Sequence, residues 1–129
     1  LRGYPAQLYI LFRELIDNAV KFSKDDEVPD ITITGNYVRG DQLTMPGKNF
    51  EDKNFLVINI YDKGIGFEIE YAEKIFALFQ RLHNRDSVYE GKGIGLAICQ
   101  RIMSNHNGFI HTTSRLHEGA AFHLYFPVA

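Results

Sequence analysis

The sequence predicts an α+β fold, a two-layer α/β sandwich in which helices cover one face of a mixed, largely antiparallel sheet. Three observations predict it. Apolar residues recur at helical spacing over residues 5–22 and again over 93–107. Strand-like runs come in neighbouring pairs, 31–34 with 55–61 and 109–114 with 120–126. Strands that follow one another through turns pair antiparallel, and the helices between such pairs gather on one side of the sheet.

Each element has a local cause. Pro5 opens the first helix, where its missing N–H costs nothing. Leu8, Leu11, Phe12, Leu15, Ala19 and Phe22 make its apolar face. Glu14, Asn18 and Lys21 follow at i, i+4 and i+7, so a carboxylate, an amide oxygen and an ammonium share a separate polar stripe. The acidic run 25–30 ends the helix. Ile31-Thr32-Ile33-Thr34 alternates as a half-buried strand should. Residues 38–53, with Gly40-Asp41 and Pro46-Gly47, read as a long hairpin loop. The next strand, 55–61, puts Leu56, Ile58 and Ile60 on one face and runs into Asp62-Lys63-Gly64-Ile65-Gly66, so Asp62 stands where a strand ends.

Residues 70–79 read as a short helix containing Ile75-Phe76-Ala77-Leu78-Phe79. Residues 80–92 are polar, carry Arg81, Arg85, Asp86 and Glu90, and suit a mobile surface loop whose order depends on ligand. Gly91-Lys92-Gly93-Ile94-Gly95 then leads into a helix over 93–107 with Ile94, Ala97, Ile98 and Ile102 as its stripe, stopped by Asn107-Gly108. The last two strands form a hairpin turning at 116–119.

The bulk properties set limits. At 129 residues, 45% hydrophobic and 23% charged, the chain is one globular domain with one sizeable core. A formal net charge of −2 gives no electrostatic case for nucleic acid or an anionic membrane. One cysteine, Cys99, excludes an internal disulfide and a cysteine-rich zinc site, and its helical neighbours mark it as a small core residue. The longest apolar run, 75–79, is far short of the roughly 18 residues of a membrane span. The first residue is Leu1, not Met, so the chain reads as a fragment of a longer protein, one domain over 1–129, with a membrane anchor elsewhere in the parent left open.

Three motifs carry chemistry. The Glu14, Asn18, Lys21 stripe offers oxygen donors of the kind Mg²⁺ accepts and a cation for phosphate; an exposed helix face with solvated charges has the same composition. Asp62 at a strand end can accept a hydrogen bond from an exocyclic amine, and Gly64 and Gly66 let a planar ring approach the backbone; a plain turn also uses Asp and Gly. Gly91, Gly93 and Gly95 free the backbone ahead of a helix N-terminus, which favours anions. The spacing is not that of a dinucleotide-binding strand–turn–helix, and the Gly-Lys-Ser/Thr end of a P-loop is absent. No two histidines have helical metal-ligand spacing, and all five read as structural or surface residues.

Together, in this order, these boxes resemble the ATP-binding catalytic domain of the two-component sensor histidine kinases, part of a superfamily with DNA gyrase and heat-shock chaperone ATPases. The resemblance runs from about residue 4 to residue 127. It implies ATP and Mg²⁺ as cofactors, with Asn18 on the metal, Lys21 on phosphate, and Asp62, Gly64 and Gly66 around adenine. It also implies Gly91, Lys92, Gly93, Gly95 and Leu96 at the phosphate loop, and Phe79, Arg81 and Arg85 from a lid. Glu14 stands where this family often has Asn; a metal-shell role and a base role, as in the superfamily's hydrolases, stay open. Lys92 replaces the usual Thr or Ser. The implied reaction passes the γ-phosphate to a histidine on a separate dimerisation/phosphoacceptor domain, with a response regulator receiver domain as a further partner. The resemblance implies no contact of this domain with nucleic acid or membrane, and a cytoplasmic location. An ATP hydrolase or serine kinase of the superfamily, or a non-catalytic docking module, are the alternative readings.

Overall fold

The structure is a computed structural model and describes residues 2–21, 23–24, 27–43, 53–64, 92–115 and 118–128. The expected helix at 70–79 and loop at 80–92 lie outside the described residues, Lys92 apart. Helix α1 spans Pro5–Lys21 and helix α2 spans Lys92–Asn105. The strands are β1 (Ile31–Arg39), β2 (Asn54–Asp62), β3 (Phe109–Arg115) and β4 (Gly119–Val128). They form one sheet in the order β1-β2-β4-β3, antiparallel at every described pairing.

Period-2 alternation sorts the strands into two faces. Leu56, Ile58 and Ile60 of β2 stand in register with Phe126, Leu124 and Phe122 of β4. On this face they meet Leu11 and Leu15 of α1 and Leu96, Cys99, Ile102 and Met103 of α2, forming one core. Leu11, Leu15, Cys99, Met103, Leu124 and Phe126 are fully buried there. Each large-to-small change at such a site costs about 2–5 kcal/mol, so this layer fixes α1 against α2 and both against β2 and β4.

The ends of the helices are set by named bonds. The Ser23 hydroxyl and N–H both donate to the Val20 carbonyl, at 2.7 Å and 3.2 Å, and close α1. At the end of α2 the Gly108 N–H donates to the Met103 carbonyl at 2.9 Å and the Asn107 N–H to the Ser104 carbonyl at 3.0 Å. That is the paired-bond stop of a helix whose next residue is left-handed. The left-handed residue is Asn107, at φ 59°, not the glycine after it. Gly108 is needed for a different reason: a Cβ there would overlap the Tyr125 carbonyl oxygen.

His106 ties this end of α2 to the start of the chain. Its Nδ1 lies 2.8 Å from the Ile102 carbonyl, which can only accept, so Nδ1 carries the proton. Its Nε2 accepts the Tyr4 N–H at 3.0 Å. The ring is buried and has a hydrogen-bond partner on both nitrogens.

Two sequence expectations are corrected. The strand expected at 31–34 runs on to Arg39, and a single 3₁₀ turn, Gly40–Gln42, follows within what was read as loop. β1 is also not half-buried. Ile33 is 50% and Tyr37 76% exposed on the helix side, because α1 and α2 sit over the β2–β4 half of the sheet.

Candidate functional site

Asp62 is the last residue of β2, and both of its neighbours in space hold it. Its Oδ1 accepts the Gly64 N–H at 2.9 Å and the Ala120 N–H at 3.3 Å. Asp62 and Ala120 are register partners, so the second bond is delivered by the β2–β4 ladder. Oδ2 has no hydrogen-bond partner among the described residues. Burial raises the Asp62 pKa above the ordinary carboxylate value, against the pull of the two N–H bonds. The result is a carboxylate fixed by one oxygen with the other left to accept.

A cavity of about 130 Å³ opens beside it, lined among others by Ala19 of α1, Ser23, Lys24, Asp62, Lys63 and Gly64. Ligand pockets usually run to roughly 300–1,000 Å³, so this cavity is too small to enclose a whole nucleotide. Lys63 Nζ and Asp30 Oδ2 lie 3.6 Å apart at its rim.

Glu14 marks the other end of the site. Its Oε2 would stand 2.8 Å from a Cβ at Gly95, in the first turn of α2, so a larger residue there would displace the Glu14 carboxylate. Its Oε1 lies 3.6 Å from Arg13 Nη2. The first turn of a helix leaves N–H groups without intrahelical partners, and a carboxylate beside it is favoured. Asn18 is one turn further along the same side of α1, half-buried. Ala19, next in sequence, already lines the Asp62 cavity. At 1.5 Å rise per residue, the first turn of α2 and the Asp62 cavity are bridged by little more than one turn of α1.

The structure therefore brings Glu14, Asn18, Asp62, Gly64 and Gly95 around the second half of α1. Leu96 is buried in the core and packs rather than lines the opening. Lys21 ends α1, and Lys92 and Gly93 begin α2. Gly66, Phe79, Arg81, Arg85 and Gly91 lie outside the described residues. Among the described residues no three His, Cys, Asp or Glu side chains gather as a metal cluster.

Two supports were not legible as site residues. Ala120 gives its N–H to Asp62. Gly119 takes φ +120°, and a Cβ on it would overlap the Asp62 carbonyl oxygen. The sequence signal for both was the run Glu118-Gly119-Ala120-Ala121-Phe122 at the start of the last strand.

The fold and this site define a two-layer sandwich with a fixed carboxylate at one strand end and a glycine-opened helix start beside it. The chain matches the family described as "Histidine kinase-, DNA gyrase B-, and HSP90-like ATPase" over residues 3–129. It is 39% identical over 122 residues to "Cyanobacterial phytochrome A" of Nostoc sp. (strain PCC 7120), a match covering 95% of this chain and 14% of that protein. It is 34% identical over 114 residues to "Adaptive-response sensory kinase SasA" of Prochlorococcus marinus (strain MIT 9215), covering 88% of this chain and 27% of that one. The chain thus spans a minor part of the curated relatives it matches. A solved structure of the "Mycobacterial sensor histidine kinase MprB" shares the fold at TM-score 0.68 and 18% identity, over 98% of this chain and 76% of that chain. The chain belongs to the Histidine kinase-, DNA gyrase B-, and HSP90-like ATPase family and is an ATP-binding domain of the histidine kinase type. Among the described residues no helix is long and apolar enough to cross a membrane.

Proposed function

We propose that this chain holds ATP with Mg²⁺ and presents the γ-phosphate to a histidine on a separate dimerisation/phosphoacceptor domain of its parent. The phosphoryl group then passes to a response regulator receiver domain on the cytoplasmic side. The observation that supports the reading is the Asp62 carboxylate beside its cavity, with Oδ1 held by two N–H groups and Oδ2 without a hydrogen-bond partner among the described residues, an acceptor suited to the adenine amine. Guanine has a carbonyl at that position, and two acceptors would face each other.

Asn18 and Glu14 fit Mg²⁺ in kind. Both offer hard oxygens, and Mg²⁺ completes its octahedron with phosphate oxygens and waters. Bound there, the ion would neutralise charge on the triphosphate. Lys21 and the helix start at Lys92, Gly93 and Gly95 would hold phosphate, and Gly91, Phe79, Arg81 and Arg85 would close the site. Phosphoryl transfer asks a protein mainly for positioning and charge neutralisation, so the isolated chain binds nucleotide but turns over little. Calorimetry with ATP and Mg²⁺, followed by transfer to an added histidine-bearing helical hairpin domain, tests this. Binding without any transfer would leave a docking module.

The position of Glu14 bears on the hydrolase reading. Its carboxylate lies against Gly95 of α2 and pairs with Arg13, which supports a packing role over activating a water. Release of free phosphate at a rate that drops in Glu14→Gln would favour hydrolysis instead.

Asn18→Ala is expected to weaken ATP binding in the presence of Mg²⁺ by about 1–3 kcal/mol, the range of a lost buried polar contact, and to leave metal-free binding nearly unchanged. Titrations with Mg²⁺ and with a chelator compare the two. Equal losses in both would make Asn18 a structural helix residue.

A further inference from the structure

The edge of β1 carries an arrangement that the nucleotide site does not use. The Lys63 N–H donates to the Asp30 carbonyl at 3.3 Å, and the Gly40 N–H to the Lys53 carbonyl at 2.6 Å, at the two ends of the β1–β2 ladder. Hydrogen-bonded pairs alternate along an antiparallel ladder. The even-numbered residues of β1 therefore turn their backbone groups to β2, and Ile31, Ile33, Gly35, Tyr37 and Arg39 turn theirs outward. β1 is an edge strand, so among the described residues no strand receives them; the one exception is the Arg39 N–H, which donates to the Gln42 side chain at 3.3 Å.

Natural sheets protect such edges with Lys, Pro, bulges or short strands. This edge is nine residues long, and 31–38 holds no charge and no proline. Its outward residues are also symmetric about Gly35. Ile33 lies two positions before it and Tyr37 two after, exposed by 50% and 76% on the same face. Among the described residues, a Cβ at Gly35 would meet nothing nearer than the Val57 carbonyl at 3.8 Å.

We propose that β1 pairs with β1 of a second copy of this chain, antiparallel, about a two-fold axis at Gly35. Gly35 then faces its counterpart, and Ile33 of each copy faces Tyr37 of the other. All are outward-turned residues, so each pair exchanges two N–H···O bonds. Each exposed Ile gains an aromatic cross-strand neighbour, a favourable sheet pairing. The charges agree as well. The seam over 31–38 carries no charge, so two copies meet along it without local repulsion. Pairing of one strand edge buries less than the roughly 1,200 Å² of a standard interface, so the dimer is weak and concentration-dependent. Self-complementarity of this kind is what an isologous contact requires, and an unrelated strand would not need it. The inference does not depend on the nucleotide reading.

Sedimentation equilibrium of the 129-residue chain, from micromolar to millimolar concentration, should show a reversible monomer–dimer equilibrium. Ile33→Lys with Tyr37→Lys opposes like charges across the axis and should raise the dimer Kd at least about tenfold. Ile33→Lys with Tyr37→Glu opposes unlike charges in the same register and should restore dimerisation relative to that variant. Both positions are exposed, and circular dichroism would confirm that both variants fold. A chain that stays monomeric up to millimolar concentration overturns the proposal. So does dimerisation that is indifferent to both pairs of changes, or a charge-swapped pair that fails to restore it.

Discussion

Replacing Asp62 with Asn is expected to lower ATP affinity by about 1.5–3 kcal/mol, a loss of roughly 10- to 150-fold, with the fold intact. The separation of the two effects follows from how Asp62 is held. An Asn side chain keeps one oxygen, which can still accept the Gly64 and Ala120 N–H groups that bind Oδ1. What changes is the other position, where an NH₂ replaces the free acceptor and faces the adenine amine donor to donor. The same NH₂ can donate to a 6-oxo purine, so affinity for inosine triphosphate should rise in the variant. Because burial raises the Asp62 pKa, acid removes this acceptor at a higher pH than it would for an open aspartate. Calorimetry with both nucleotides reads the exchange of preference. Unchanged ATP affinity in a folded Asp62→Asn chain would remove Asp62 from the site.

Gly119→Ala should be the more damaging change to the fold. Residue 119 sits at φ +120°, a conformation that costs an L-residue about 1–3 kcal/mol. The new Cβ also meets the Asp62 carbonyl oxygen and Lys63 Cα, both backbone, which cannot swing away as a side-chain end could. Overpacking of this kind adds about 1–3 kcal/mol. The two together predict a fall in melting temperature on the order of 10 °C. They also predict weaker ATP binding, since relief of the overlap pulls the end of β2 away from Ala120. Thermal unfolding followed by circular dichroism checks the first effect. A melting temperature within about 2 °C of the original would mean that the β3–β4 turn relaxes freely and does not brace Asp62.

The sequence made α1, the strand end at Asp62 and the start of α2 legible because each is written in local pattern. Helical spacing from Leu8 to Ala19, alternation from Leu56 to Ile60 and the glycines before Leu96 need no partner to be read. What was missed depends on partners distant in sequence. Asp62 and Ala120 are 58 residues apart, and only the sheet register makes them neighbours. The exposure of β1 follows from where the helices sit, not from Ile31-Thr32-Ile33-Thr34, whose alternation suits a covered strand and an open one alike. At Asn107-Gly108 both residues can adopt the left-handed conformation; Asn107 does, and Gly108 allows the close approach of the Tyr125 carbonyl.

Cys99 has a practical consequence for experiments on this chain. Its side chain is fully buried, and burial, then the charge of nearby Glu14, pushes the thiol pKa up to about 12. At neutral pH only on the order of one molecule in 100,000 carries the reactive thiolate. Maleimide or iodoacetamide should therefore leave the folded chain unmodified and react once it is denatured, which mass spectrometry would detect. A cysteine introduced at exposed Val28, outside the β1 seam, could then be labelled with the native thiol left in place. Spin or fluorophore pairs attached there would report the separation of neighbouring molecules in solution without the need for a cysteine-free background.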